Sequence, residues 1–182
     1  MKQHFIYIPG LGDSYDPVRQ FFLKTWRLRG DVSTELVSMH WSSGESYESK
    51  VRRVQKAIGR APKDAEVVLV GESAGGAVAV AVCAATNLRC VTVCGKNLRV
   101  STIGDGYSSK NIALIPAVAA VDKLHEAADL PVDRIRVLYS QYDQTVHPDD
   151  SKIPGAQTRR FKIPTHMLAI AWINLFHFGA LR

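Results

Sequence analysis

The segment Gly71-Glu72-Ser73-Ala74-Gly75 matches the G-x-S-x-G pattern, in which a serine is exposed for nucleophilic attack. The apolar predicted strand Glu66–Val70 precedes it and a stretch of Ala, Val and Gly follows it, as this strand–turn–helix pattern requires. Side chains flanking the serine would strike the strand or the helix, and glycine removes them. A tight turn with a capping serine is the alternative, but the two flanking elements favour a nucleophile. We therefore expect Ser73 beside a helix N-terminus, where negative charge is favoured.

Asp143 and His166 are the residues best placed to activate that serine. A serine hydroxyl is a poor nucleophile until an imidazole takes its proton, and a carboxylate fixes the tautomer of the imidazole. Asp143 follows the predicted strand Ile135–Tyr139, and His166 follows the predicted strand Thr158–Ile163. Both therefore lie at the edge where open parallel sheets bind ligands. We predict Ser73 as the nucleophile, His166 as the base and Asp143 as the orienting acid.

Three residues in the loop after Asp143 compete for these roles. His147 is the alternative base, and Asp149 and Asp150 are alternative acids. His166 is favoured over His147 because a predicted strand of its own precedes it. Asp143 is favoured because it lies just beyond the end of a core strand.

The loop after the first predicted strand, Ile8-Pro9-Gly10-Leu11-Gly12-Asp13, contains two glycines. Acyl transfer needs two N–H donors aimed at the oxygen of a tetrahedral intermediate. The amides of Leu11 and Ala74 are the predicted donors. Three further residues are predicted to contact the substrate: Gly10 in this loop, Glu72 before the nucleophile, and Trp41 after the second predicted strand.

The elements that must position these residues alternate along the chain. The predicted strands are His4–Ile8, Ser33–Met39, Glu66–Val70, Cys90–Cys94, Ile135–Tyr139 and Thr158–Ile163. The first predicted helix follows Asp16, and the last begins near Met167. The three predicted helices between them are Tyr47–Ile58, Ala74–Ala85 and Ala113–Ala127. Ser42 and Glu45 resemble a capping box for the second helix. This alternation predicts a mostly parallel six-stranded sheet with helices on both faces, in a single domain over residues 1–182.

Apolar residues recur at helical spacing in the first and last of these helices. In the first helix, Val18, Phe21, Phe22 and Trp26 form a stripe on one side. The last helix carries Leu168, Ala171, Trp172, Leu175 and Phe176.

Charge and cysteine content limit the partners. The net charge is +6, but no aromatic residues interleave with the basic clusters, so we expect solvated faces and no nucleic-acid binding. No run of eighteen apolar residues occurs, so we expect no membrane span. Cys83, Cys90 and Cys94 lie in apolar segments without metal-ligand spacing, so we expect buried reduced thiols, no metal and a cytoplasmic protein.

These motifs and their order resemble the α/β-hydrolase superfamily. The chain is similar in size to the compact YdeN-like and retinoblastoma-binding-protein-9-like serine hydrolases, although Glu72 stands where His or Asp is more usual. The resemblance implies esterase-type activity on small acyl substrates, without a cofactor. The interval from Gly95 to Arg134 is too short for a large cap domain. We therefore expect an open site, partly screened by the loop Lys96–Lys110.

The leading hypothesis is the hydrolysis of small carboxylic esters through an acyl-Ser73 intermediate, by a monomer or weak homodimer. A thioesterase, an amidase or an acyltransferase would use the same triad. A scaffold that binds a partner protein, with incidental activity, is the alternative from a different class. A complete triad favours an enzyme.

Overall fold

Six strands form one central sheet in a computed structural model that describes residues 2–181. They lie in the order β2-β1-β3-β4-β5-β6, and each neighbouring pair is parallel. Their bounds are β1 Lys2–Ile8, β2 Val32–Leu36, β3 Ala65–Glu72, β4 Arg89–Val93, β5 Ile135–Tyr142 and β6 Gln157–Pro164. The predicted six-stranded sheet is confirmed, and its strand pairing is parallel throughout the described residues.

Helices cover both faces of this sheet, as predicted. Their bounds are α1 Asp16–Arg27, α2 Tyr47–Arg60, α3 Gly75–Thr86, α4 Asp105–Ser108, α5 Leu114–Glu126, α6 Pro148–Ser151 and α7 His166–Phe176. One apolar core lies between the sheet and α2, α3 and α5, and the other lies between the sheet and α1 and α7. Within residues 2–181, no helix is both long and apolar enough to cross a lipid bilayer.

Successive side chains of β1 pack alternately into these two cores. Ile6 and Ile8 join the core that contains α3, whereas Phe5 and Tyr7 join the core that contains α1 and α7. All four are fully buried. A strand covered on both faces is apolar at successive positions, which explains the continuous apolar run in the sequence.

The cap of α2 differs from the prediction. The helix begins at Tyr47, and the side chain of Ser46 accepts a hydrogen bond from the amide of Ser49. Ser42 therefore does not cap the helix, and Glu45 forms an ion pair with Arg53 instead. The predicted capping box is wrong because a serine closer to the helix satisfies the free amide.

Two predicted apolar faces are only partly buried. In α1, Phe22 and Trp26 are buried, whereas Val18 and Phe21 are half exposed. In α7 the buried core residues are Ala169, Ile170 and Ile173, and Ala171 and Leu175 pack against the core while partly buried. The outer face of α7 exposes Leu168, Trp172 and Phe176.

The carboxyl ends of the central strands meet at one edge of the sheet, where the backbone is strained. Ser73 follows β3 with φ 50°, Cys94 follows β4 with φ 48°, and Thr165 follows β6 with φ 62°. Left-handed backbone is costly for residues with a Cβ and persists where the surrounding fold enforces it, often at functional sites. Between β4 and β5 the chain adds α4, α5 and short 3₁₀ turns, so no large cap covers this edge.

Candidate active site

The turn from β3 to α3 holds Ser73 in a confined space. A Cβ on Gly75 would overlap the carbonyl groups of Ile8 and Pro9, and one on Gly71 would lie 2.7 Å from the carbonyl oxygen of Gly75. The Ser73 amide donates to the Val93 carbonyl at 3.1 Å. The turn is therefore packed against the ends of both neighbouring strands, which leaves the serine hydroxyl directed away from the sheet.

The structure brings Ser73, His166 and Asp143 together. His166 Nε2 lies 2.9 Å from Ser73 Oγ, and His166 Nδ1 lies 2.6 Å from Asp143 Oδ2. The carboxylate accepts at Nδ1, so the proton of the neutral ring belongs there and Nε2 is left to accept from the serine hydroxyl. His166 and Asp143 are buried, and Ser73 is partly exposed.

Asp143 is fixed from its other side as well. Its Oδ1 accepts hydrogen bonds from the amides of Thr145 and Val146, each at 2.9 Å. Burial by itself would raise the pKa of Asp143, but the hydrogen bond and charge of His166, with these two amides, outweigh burial and lower the pKa. The carboxylate therefore stays ionised at neutral pH and is held toward Nδ1.

The competing residues from the same loop have other partners. His147 is exposed and accepts a hydrogen bond from the amide of Asp149. Asp149 is also exposed and pairs with Lys152 at 2.8 Å. Asp150 is buried but pairs with Lys96 at 2.7 Å. None of the three contacts Ser73 among the hydrogen bonds of residues 2–181.

Leu11 and Ala74, the predicted oxyanion donors, line the same cavity as Ser73. Neither amide donates to another residue in the described part of the chain. Gly10 lies behind them, and a Cβ there would come within 2.6 Å of the Cβ of Ser73. This close approach requires glycine, so the loop after β1 can pass directly beside the nucleophile.

A buried arginine that the sequence analysis did not single out holds this loop. Arg19, on α1, donates to the carbonyl oxygens of Gly10, Leu11 and Gly12 at 3.3, 3.2 and 2.8 Å. With the carbonyls turned toward Arg19, the amide of Leu11 is free to face the cavity. Arg19 is 2% exposed, although arginine is rarely buried without a partner.

The partner of Arg19 is Glu72, the residue before the nucleophile. Arg19 Nη2 lies 2.7 Å from Glu72 Oε1, and Arg19 Nε lies 3.0 Å from Glu72 Oε2. Tyr7 donates to the same carboxylate at 2.6 Å, and Asn174 on α7 donates to the Tyr7 hydroxyl at 3.2 Å. Burial, followed by the charge of Glu72, raises the pKa of Tyr7, so the phenol remains a neutral donor. We call Tyr7, Arg19, Glu72 and Asn174 the Arg19 cluster.

The structure does not place Glu72 or Trp41 on the cavity, where they were expected to contact substrate. Glu72 is 2% exposed and its carboxylate is fully engaged by Tyr7 and Arg19. Trp41 is 1% exposed, and its ring nitrogen donates to the Pro9 carbonyl at 3.0 Å. Gly10 has no side chain and does not line the cavity either. Glu72 and Trp41 are buried behind the cavity wall, and Gly10 is the point where the loop after β1 passes Ser73, so these expectations are corrected to supporting positions.

The cavity beside Ser73 has a volume of about 90 Å³. Ile103, Gly104 and Tyr107, from the segment that contains α4, form one side, and Leu114 and Val146 form another. This segment belongs to the loop that was expected to screen the site.

One wall of the cavity is ionic. Lys96 Nζ donates to Asp150 Oδ2 at 2.7 Å, to the Arg99 carbonyl at 3.0 Å and to the hydroxyl of Thr102. Thr102 in turn donates to Asp150 Oδ2 at 2.8 Å. We call Lys96, Thr102 and Asp150 the Lys96 cluster.

Cys94, Asp143 and His166 have potential ligand atoms within 4.8 Å of one another. Burial, then the negative charge of Asp143, raises the pKa of the Cys94 thiol, so it stays protonated. Asp143 and His166 already bond each other at 2.6 Å, so their donor atoms are engaged in the triad. Cys83 and Cys90 are buried and free as well.

Solved structures of esterases and other hydrolases are similar to this chain over almost its whole length. Est1E from Butyrivibrio proteoclasticus has a TM-score of 0.67 at 12% identity, over 99% of this chain and 85% of that one. The ydeN gene product from B. subtilis has a TM-score of 0.62 at 14% identity, over 99% of this chain and 95% of that one. Alpha/beta hydrolase domain-containing protein 10 from mouse has a TM-score of 0.62 at 15% identity, over 98% and 88%.

No protein-family model matches the chain, and no curated protein matches it either. At identities this low, structural likeness establishes the fold and leaves the activity to the site. The chain has the α/β-hydrolase fold, as the sequence motifs predicted.

Proposed function

We propose, on the premise of the α/β-hydrolase fold, that the protein is a serine hydrolase that cleaves small carboxylic esters through an acyl-serine intermediate. The observation that carries the proposal is the unbroken path of hydrogen bonds from Ser73 through His166 to Asp143, at 2.9 and 2.6 Å. These are the contacts that nucleophilic catalysis by serine requires, in the correct order.

In the proposed reaction, Ser73 Oγ attacks the ester carbonyl carbon while His166 Nε2 takes the hydroxyl proton. The tetrahedral intermediate collapses as the bond to the alcohol oxygen breaks, and His166 returns the proton to that oxygen. A water molecule then attacks the acyl-Ser73 ester by the same steps, with His166 as the base again. Asp143 stabilises the imidazolium that forms each time and remains ionised.

The amides of Leu11 and Ala74 serve as donors to the carbonyl oxygen when it becomes negative. Neither amide has an acceptor among residues 2–181, and both belong to residues that line the cavity. The N-terminus of α3, which begins at Gly75, adds a favourable dipole at the same point. Loss of one such donor typically lowers the rate by about 10²–10³-fold.

The proposal also includes the substrate class, the compartment, the domain organisation and the oligomeric state. The substrate is a small-molecule acyl compound, and neither a cofactor nor a metal takes part. We place the enzyme in the cytoplasm because its three cysteines are free and buried, as in a reducing compartment. We propose one domain, because all six strands share one sheet, acting as a monomer or weak homodimer.

The test compares Asp143→Asn with Asp149→Asn, a matched change in the same loop, using p-nitrophenyl acetate. We expect Asp143→Asn to lower kcat by about 10³–10⁴-fold, because the imidazole then adopts the wrong tautomer. Asp149 is exposed and pairs with Lys152, so its variant should stay within a few-fold of the parent. Circular dichroism checks that both variants fold. A larger loss of kcat in Asp149→Asn than in Asp143→Asn would assign the acid role to Asp149. If the protein hydrolysed thioesters or amides but no esters, the proposed substrate class would be wrong.

A further inference from the structure

The cavity beside Ser73 lies on the side of the oxyanion donors. Leu11 and Ala74 line it together with Ser73, whereas His166 is not among its lining residues. The ester carbon bound to Ser73 has two other substituents, the alcohol oxygen and the acyl chain. The alcohol oxygen must lie near His166 Nε2, which supplies its proton. The acyl chain is therefore the substituent that enters the cavity.

The size of the cavity limits the length of that chain. Its volume of about 90 Å³ is smaller than that of a cavity of about 150 Å³ that holds one benzene molecule. A few methylene groups fill such a space. Leu114, which is 4% exposed, and Val146, which is 5% exposed, are core residues that cannot move aside freely. A longer chain would have to displace these two side chains or leave the cavity past the exposed Tyr107 and Thr145.

The Lys96 cluster determines the charge that the cavity accepts. The Lys96 ammonium has three N–H bonds, and Asp150, Thr102 and the Arg99 carbonyl accept all of them. Lys96 is the one cation that the described residues contribute to the lining. A carboxylate at the end of an acyl chain would find no free cation among the described lining residues, and it would lie near the carboxylate of Asp150.

We infer that this cavity is the acyl pocket and that it selects neutral acyl groups of about two to four carbon atoms. The inference rests on the proposed function, because it assigns the pocket around the acyl-Ser73 intermediate. It specifies the length and the charge of the acyl chain, and it identifies the acyl end of the ester as the end that is recognised.

The test measures kcat/KM of the full chain for p-nitrophenyl acetate, butyrate, hexanoate and octanoate. We expect similar values for acetate and butyrate and a fall of about tenfold or more for hexanoate, since each misplaced methylene group costs about 10–200-fold. Methyl hydrogen succinate should be cleaved at least about tenfold more slowly than methyl butyrate, because of its terminal charge.

Leu114→Ala should raise the ratio of hexanoate to butyrate turnover by about tenfold, because it lengthens the pocket. Leu124→Ala is the matched control, since Leu124 lies on the same helix and does not line the cavity. Ile103→Ala, at another, half-buried position of the lining, should have the same effect as Leu114→Ala and provides a second variant with less loss of core packing.

The outcomes separate the two proposals. Equal turnover of all four esters by a chain whose Ser73 reacts with a fluorophosphonate would overturn the acyl-pocket inference and leave the proposed function standing. An equal ratio in Leu114→Ala, Ile103→Ala and Leu124→Ala would also overturn it. No turnover of any ester, together with an unreactive Ser73, would overturn both.

Discussion

Arg19 with Glu72 and Lys96 with Asp150 are two buried ion pairs, and both have an N···O distance of 2.7 Å. The first lies beside the loop after β1 and the second beside the loop after β4, the two strands that flank β3. Their surroundings differ. The first pair is sealed behind the Ser73 turn, whereas the second forms a wall of the cavity.

The difference lies in what each cation holds. Arg19 binds three backbone carbonyls of the loop that contains Leu11, and its carboxylate partner is the residue next to the nucleophile. The planar guanidinium can donate hydrogen bonds to all these acceptors at once, whereas an ammonium cannot. Lys96 binds one backbone carbonyl and two side chains. The same type of ion pair thus positions reacting groups in one place and shapes a pocket in the other.

Of the variants that test this comparison, Arg19→Lys has the largest expected effect on kcat. This variant keeps the positive charge beside Glu72 but loses the guanidinium hydrogen bonds to the loop after β1. The Leu11 amide is then no longer fixed. We expect kcat for p-nitrophenyl acetate to fall by about 10²-fold, with KM changed by only a few-fold. Arg27→Lys is the matched control, since Arg27 lies on the same helix and contacts only Thr34 among the hydrogen bonds of the described residues.

A purely structural role for Arg19 would give a different result. In that case urea denaturation would show a loss of stability, while the folded fraction would keep its kcat. An unchanged kcat in Arg19→Lys would therefore contradict its positioning role. Removing the pair partner by Glu72→Ala should lower stability by about 1–3 kcal/mol, because Arg19 then keeps only Asp16, at 2.9 Å, as its anion.

The smaller expected effect comes from Lys96→Met, which breaks the second pair. Asp150 keeps the Thr102 hydroxyl at 2.8 Å, and Arg99 Nη1 lies 3.4 Å from its other oxygen. We expect a loss of about 1–3 kcal/mol in urea denaturation and a rise in KM, with kcat within about tenfold of the parent. A greater fall in kcat for Lys96→Met than for Arg19→Lys would reverse the comparison.

The sequence predicted the residues whose signals are local. Ser73 lies in a five-residue pattern, and Asp143 and His166 each directly follow a strand, so the strand order alone brings them to one edge. The structure extends β5 to Tyr142 and begins α7 at His166 itself, so Asp143 directly follows a strand and His166 is the first residue of a helix. The fold was predictable for the same reason, because alternating apolar strands and helices leave few arrangements.

The Arg19 cluster could not be predicted because its members lie far apart in the sequence. Nothing distinguishes Arg19 from the exposed Arg27 on the same helix. A signal did exist in Glu72, since a carboxylate at the end of a buried strand needs a buried cation. That signal does not identify which arginine or lysine supplies the cation. The exposed face of α7 was missed for a related reason, because that helix is apolar on both sides and periodicity could not separate them.

The most direct test of the account is the rate and position of covalent labelling by a fluorophosphonate probe, measured by intact mass and peptide mapping. The account predicts one adduct per chain, on Ser73, absent in Ser73→Ala and formed at least about 100-fold more slowly in His166→Ala. Labelling at another residue, or equal rates in all three proteins, would contradict it.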